Sequence, residues 1–468
     1  MGFHLGRPVF AMIALTLCGG VAIWLRPATT APAAQVWTFA QAHADVYQSL
    51  APGLEQQLGG TLAVRLIPNN ALNVRLVSLL MADRSGDDLP DVVEIRQDAI
   101  GRYLGPPAGQ IGLLPLNRFL ERANPGGIGV RLQERRLLPY TKDGQVFGIP
   151  RDVHPVTLSY RADLFAEAGV DLETPSPGLD HVSWADFQQR CMKFQAYWRD
   201  RGVRDRWALD LFSANADLLA ALLLQRGVNL IDSDGRARLT DPIVVDALLF
   251  YCSMVAGPGR ISTDSVASGR NVWSKDLEAG VICALVTPDW RLADLRSAAP
   301  GLSGKWRMIR LPKFSPADAP TTTWGGTMIA IPRRCRDPEK SWRVIEALYL
   351  SDAAAAAQIR AVGILPATTL AREAMSLLEK PDPYFRGPPP LRFYADLGPQ
   401  IPSQVLTADT AFATAALGYV LSQTVAAVGK GASAADPAFR ATVLEWLAAR
   451  QTDVERQIRH GRLAVTAE

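Results

Sequence analysis

From Gln35 onward the hydrophobic positions change period in a regular way. VWTF reads as a short strand, and Val46, Leu50, Leu54 and Leu58 follow at helical spacing until Gly59-Gly60 ends the run. LAVRLI alternates and stops at Pro68, Asn70 to Asp83 carries Leu72, Leu76, Leu79 and Leu80 on one helical face, and DVVEI at 91–95 is a β-branched strand. Strand, helix, strand, helix in this order predicts an open parallel sheet with helices on both faces. In such sheets ligands bind beyond the carboxyl ends of the strands. Here those positions are Thr38 to His43, Asn69 and Asn70, and Glu94 to Asp98.

The segment Val146 to Ala168, VFGIPRDVHPVTLSYRADLFAEA, is different. Pro150 and Pro155 block a helix through its middle, while Val156, Leu158 and Tyr160 alternate as a half-buried strand, with Asp163 placed to cap the segment after it. Arg151, Asp152 and His154 therefore lie between two apolar runs, as expected of a strand passing from one lobe to another. Beyond it the pattern turns helical. Ser183 with Asp186 forms a capping box for a helix through Trp198, Leu209 to Phe212 is extended, and Ala214 to Arg226 is helical. Asp241 caps a helix from Pro242 to Val255. Val281 to Val286 is a buried strand followed by TPDW. Pro300 to Pro320 reads as a return connection, 327–332 as a strand, and Pro338 to Leu350 as a helix. Residues 381–402 read as a proline-rich loop before helices at 403–428 and 436–458.

At 468 residues the chain is expected to hold two or three domains. A net charge of +3 without runs of like charge argues against a nucleic-acid partner. His4 and Arg7, an apolar run from Val9 to Leu25, and a small-residue stretch ending at Ala34 have the order of an export signal, cleaved after Ala33 or Ala34. An uncleaved N-terminal anchor is the alternative, since the run approaches membrane-spanning length. Either places residues 35–468 outside the cytoplasm. Past that segment there are four cysteines, Cys191, Cys252, Cys283 and Cys335, whose spacings choose no pairing; buried free thiols are expected. No His-x-x-His, HExxH, GxSxG, GxGxxG or P-loop spacing occurs, so neither a metal, a cofactor nor a hydrolase is indicated.

Four stretches together carry a resemblance. They are VWTFAQAH; DGQVFGIPRDVHPVTLSYRADLFAEAGV followed by SWADF; LEAGVICALVTPDW; and WGGTMIAIPRRCRDPEKSWRVIEALYLSD followed by GILPA. In order and spacing the chain resembles the extracellular solute-binding proteins of ABC importers, in the carbohydrate-binding, maltose-binding-protein-like branch. That resemblance implies a periplasmic-binding-protein type II fold, two α/β lobes joined by a multi-crossing hinge. Mapped here, lobe 1 is 35–152 plus 313–352, and lobe 2 is 153–312 plus 353–468. It also implies a monomer that delivers a mono- to oligosaccharide from the periplasm to permease subunits in the inner membrane, without catalysis.

Sugar recognition needs aromatic faces for the C–H surface and charged or amide groups for the hydroxyls. Trp290 follows a buried strand at the position where the family supplies a stacking Trp. Trp324 precedes Gly325 and Gly326, which would let backbone approach a ligand closely. Trp37 and Phe39 alternate on the first strand. Glu94 and Asp152 are placed to accept sugar hydroxyls, His43 and His154 to hydrogen-bond them, and Asp289 and Asn215 are further candidates. Arg96, Arg151 and Arg291 fall near the same cleft and motivate an alternative ligand carrying phosphate, sulfonate or carboxylate. An exported glycoside hydrolase using Asp152 or Glu94 and a membrane-anchored sensor subunit are the other readings.

Overall fold

The computed structural model describes residues 31–82, 88–123, 132, 134–264 and 269–466. The apolar export segment and Asp83 lie outside them. Strand β1 (Ala34–Thr38) is buried along almost its whole length and pairs in parallel with β2 (Leu62–Leu66) and β3 (Val92–Arg96). The Gln41–Leu58 helix between β1 and β2 ends where Gly59 takes φ 67°, a left-handed turn that costs a glycine little and returns its N–H to Glu55. Two two-residue strands, β4 (Thr141–Lys142) and β5 (Gln145–Val146), make a hairpin ahead of β6 (Ile149–Pro150).

The chain then crosses to a second sheet at β7 (Val156–Arg161), buried on both faces. Short strands β8 (Leu209–Asp210) and β9 (Ser262–Thr263) pair with each other. β10 (Ala284–Pro288) and β11 (Trp306–Arg310) flank β7 in antiparallel fashion. A second crossing returns the chain to the first sheet at β12 (Thr327–Ala330), and β13 (Phe385–Arg386) completes the second. The two sheets run β2-β1-β3-β12-β6 and β10-β7-β11-β13. The first is not the purely parallel sheet expected, because β12 arrives from the other lobe and enters antiparallel to β3 and β6.

Several local expectations are corrected. The return connection contains β11, where Trp306 is fully buried and exposure increases along the strand to Arg310; two arginines within five residues hid the strand. The proline-rich loop contains the Pro390–Leu397 helix, whose proline stands at the first helical position, where no N–H is needed. Asp163 does not cap the Ala162–Glu167 helix but pairs with Arg161 at 2.7–2.8 Å. The helix expected from 403 begins at Thr410, and the residues before it run as an extended strap. The capping box holds: Ser183 accepts the Asp186 N–H at 3.0 Å. All four described cysteines are free and buried.

The largest core packs β7 and β10 against the Trp184–Arg199, Asp217–Gln225, Pro242–Val255 and Thr410–Gly429 helices. The last is apolar and long enough to span a membrane by composition, but Ala413, Leu417, Leu421 and Val428 are buried in this core. At its centre the Phe165 and Phe194 rings stack with centroids 4.0 Å apart. Truncating Phe194 to Ala leaves a cavity beneath Phe165 and is expected to cost about 3–5 kcal/mol. Urea unfolding checks this; a loss below about 1 kcal/mol would contradict the packing described.

Candidate functional site

β3 ends at Arg96 and turns directly into the Gln97–Leu104 helix, so Gln97 and Asp98 stand at the carboxyl edge of the first sheet. Opposite them, the turn Ala214–Asp217 opens a helix of the second lobe, with the Asn215 carboxamide accepting the Asp217 N–H at 2.7 Å. The Thr410–Gly429 helix lies along both. These three elements and the strap line an open cavity of about 570 Å³, whose polar wall includes Gln97, Asp98, Asn215, Asp217, Thr414 and Tyr419. Among the described residues, no lysine or arginine lines it. Arg96 stands nearby, bound through Nε to Asp98 at 2.7 Å; that bond and the charges of Asp98 and Asp217 raise its pKa.

The strap is held by both lobes. Leu406 packs into the first lobe's core, Gln404 accepts from the Gln97 amide, and Thr407 sits so closely on the Gln97–Leu104 helix that a Cβ added at Gly101 would land on the Thr407 carbonyl. On the second lobe, Asn229 receives the Val405 N–H at 2.9 Å and donates to the Ser403 carbonyl. Behind the strap is a second cavity of about 40 Å³, room for a few waters. Gln97 lines both cavities, so its bond to Gln404 is part of the partition between them.

Deeper still, a chain of buried charges runs through the hinge. Glu94 is fully buried, receives hydrogen bonds from Thr38, Tyr47 and Tyr349, and lies 3.0–3.1 Å from His43 Nδ1. Burial alone would raise its pKa, but His43, Arg151 and Thr38 overcome this and lower it to about 2. Arg151 donates through Nε to Tyr47 at 3.0 Å and through Nη1 to Asp152 at 3.2 Å. His154 bridges Asp152 (Nε2, 3.1 Å) and Asp289 (Nδ1, 2.6 Å). Burial disfavours its charged form, yet the two carboxylates raise its pKa to about 10, so it stays an imidazolium at neutral pH. Asp289 also accepts the backbone N–H of Trp290 and Leu365, and Asp152 that of Thr327. The chain therefore ties the two crossings, at Arg151–His154 and before Thr327, to each other and to the segments around Trp290 and Leu365.

The residues singled out from sequence are distributed over these features. Trp37 is buried beneath the Arg75 guanidinium, and Phe39 meets the His43 ring edge-on. His43, Glu94, Arg151, Asp152, His154 and Asp289 form the buried chain. Asp152, His154, Gly325 and Gly326 line the smaller cavity. Trp290 donates to the Trp324 carbonyl at 3.0 Å, and their rings pack edge to face, with Phe212 against Trp324. Gly325 and Gly326, at φ 94° and 137°, make room for Trp290 and Gln97: added Cβ atoms would lie 3.1 and 2.8 Å from those side chains. Arg291 pairs with Asp210 at 3.6 Å inside the second lobe. Of all candidates only Asn215 lines the larger cavity. Gln97 and Asp98 fall in the strand-end stretch marked by sequence, whereas Asp217, Thr407 and Tyr419 carry no sequence signal.

Residues 69–382 match the family of bacterial extracellular solute-binding proteins. The chain belongs to that family. Among curated relatives of this solute-binding protein, the arabinooligosaccharide-binding protein of Halalkalibacterium halodurans is 22% identical over 62% of this chain. The aligned stretch spans 61% of that relative. The lactose-binding protein of Rhizobium radiobacter is 23% identical over 69% of this chain and 71% of its own length. Among solved structures, the sugar-binding protein MalE of Xanthomonas citri superposes with a TM-score of 0.70 over 91% of this chain and 98% of its own, at 21% identity. The fold is thus that of the MalE-type periplasmic binding proteins.

The buried chain implies a defined pH window for stability. His154 at about 10 lies above its ordinary 6.5, so its contribution is complete below pH 6.5 and is lost as pH rises towards 10. Glu94 at about 2 lies below its ordinary 4.5, so its contribution is complete above pH 4.5 and is lost as pH falls towards 2. Unfolding free energy is expected to plateau between pH 4.5 and 6.5 and fall on both sides. Stability still rising from pH 6.5 to 9 in denaturant titrations would refute the His154 arrangement.

Proposed function

We propose that this protein is the substrate-binding component of an ABC importer and that its ligand is a carbohydrate held in the 570 Å³ cavity between the lobes. The lobes are taken as 35–152 plus 313–352 and 153–312 plus 353–468, closing about the crossings that the buried charges secure. The observation that carries the reading is the chemistry of the cavity wall. Carboxamides, hydroxyls and two carboxylates, Asp98 and Asp217, face the space from different lobes, and carboxylate and amide groups are the partners that sugar hydroxyls require. Relatives named for arabinooligosaccharide and lactose binding agree with it.

The three arginines that suggested an anionic ligand are each engaged within the protein: Arg96 with Asp98, Arg151 with Asp152 and Tyr47, Arg291 with Asp210. An anion in the cavity would meet Asp98 and Asp217 instead. A glycosidase needs one carboxyl kept protonated beside an ionised one. The carboxylates considered for that chemistry, Asp152 and Glu94, are buried and committed to partners within the hinge, Asp152 to Arg151 and His154 and Glu94 to His43, Tyr47 and Tyr349. In this reading the protein binds its ligand without making or breaking bonds. It works in the periplasm as a monomer, presenting its loaded form to the membrane permease, with residues 1–34 serving as export signal or anchor.

A thermal-shift screen of residues 35–468 against neutral sugars, oligosaccharides, polyols, sugar acids and sugar phosphates tests the reading. A rise in Tm with a neutral sugar class is expected. Asp98→Asn and Asn215→Ala should each weaken that binding by roughly tenfold or more, the worth of a hydrogen bond to a charged or buried polar group. A rise only with anionic compounds, or sugar binding untouched by both substitutions, would overturn the assignment.

A further inference from the structure

The strap begins and ends in the second lobe but lies on the first. The Pro390–Leu397 helix before it buries Tyr394 and Leu397, Tyr394 in the core that also holds Leu285, Trp306 and Phe385. The Thr410–Gly429 helix after it is rooted beside β7 and β10. Between these two anchors residues 401–409 reach across the gap. Arg136 of the first lobe donates to the Gly398 carbonyl, Gln97 donates to Gln404, and Leu406 packs against the core that holds Ile100 and Tyr103.

The shape of the strap is set from the second lobe, through the Asn229 bonds to Ser403 and Val405 and through Thr410. The Thr407 N–H donates to the Thr410 hydroxyl at 2.8 Å, and the Thr407 carbonyl accepts the Thr410 N–H at 3.1 Å. That carbonyl is the atom seated on Gly101. Gly101 lies inside the Gln97–Leu104 helix, where glycine is less stable than alanine. A Cβ there would fall 1.8 Å from the Thr407 oxygen and 2.9 Å from the Ala408 nitrogen. One turn further on, a Cβ on Gly105 would lie 3.0 Å from the Ala408 Cβ. Glycines four positions apart share one helix face, and here that face is a bed filled by strap backbone.

We infer that the strap is a latch: seated on Gly101 and Gly105, it holds the lobes together in the ligand-free protein, and opening begins with its release from that helix. The latch is made wholly of the protein's own contacts, so it stands apart from the carbohydrate reading. While it is seated, Gln97 and Asp98 already face the same space as Asn215 and Asp217, and none of a ligand's binding free energy goes into drawing the lobes together.

A removable crosslink tests this. Gly105→Cys with Ala408→Cys puts two thiols within disulfide reach after a small shift, at positions outside the wall of the larger cavity, and the four native thiols described are buried. The ligand-free double variant is expected to crosslink with oxidised glutathione, and small-angle X-ray scattering should give the same radius of gyration before and after. Adding Gly101→Ala forces the strap off its bed and should slow crosslinking by roughly tenfold or more, because the thiols leave bonding range. Gly101→Ala alone should enlarge the ligand-free protein. Gly53→Ala, the same substitution in a helix with nothing within 4 Å of the added Cβ, should change neither readout. Compaction on crosslinking would mean that the free protein rests open, and it overturns the latch, as does a pair that fails to crosslink. A folded Gly101→Ala protein of unchanged size that crosslinks as fast as its parent overturns it too. Should Gly101→Ala not fold, the crosslinked pair decides alone. None of these outcomes bears on which ligand is bound.

Discussion

Charge buried at the hinge is the constraint on which the other parts depend. Glu94, Arg151, Asp152, His154 and Asp289 are almost fully removed from water, and each ionised group there carries a desolvation cost of several kcal/mol unless it is paired and hydrogen-bonded. The protein meets that demand by alternating signs along the chain and by spending backbone N–H groups of Thr327, Trp290 and Leu365 on the carboxylates. Those three donors lie on different segments, and Arg151 to His154 lie on a fourth. Satisfying the charges therefore fixes where the crossings pass one another. An apolar hinge would pack as well but would not demand this register so strictly.

The cleft follows from that register. β12 is held beside β3, so Gly326 comes against Gln97, and Gln97 is turned towards the strap. The strap, anchored by Leu406 on one lobe and Asn229 on the other, brings the start of the Thr410–Gly429 helix across the gap. Polar groups from both lobes then face one space, which is what a protein that closes on its ligand requires. Arg151 and Arg291 are committed to buried carboxylates and Arg96 to Asp98, so the hydrogen-bonding groups that line the space are amides, hydroxyls and acids.

Much of the frame was legible along the chain. The early strand and helix succession, the capping box at Ser183, and the crossover at 150–156 rest on local physics: side-chain period, a hydroxyl in reach of an N–H, and proline's fixed φ. Where local signals conflicted, the reading failed. Two arginines in β11 masked a strand that begins at the fully buried Trp306. Pro390 looked like a breaker but occupies a helix start, and the residues just before 410 looked helical although contacts with Gly101 and Asn229 hold them extended.

The site divides in the same way. Residue types and their positions singled out Glu94 to Asp98, Asp152, His154, Asp289 and Asn215 as candidates, and the family order of motifs supplied the two-lobed plan. Sequence could not say which of these would be spent internally. Whether a carboxylate faces a cavity or a buried arginine depends on what neighbouring segments bring within about 3 Å of it, and those segments lie far away in the chain. Tyr349 reaches Glu94 across 255 positions, and Leu365 reaches Asp289 across 76. Periodicity and composition determined the elements and the class of protein. Only the packing of the crossings and the strap decided that Gln97, Asp98, Asn215 and Asp217, and not the hinge charges, would face the space between the lobes.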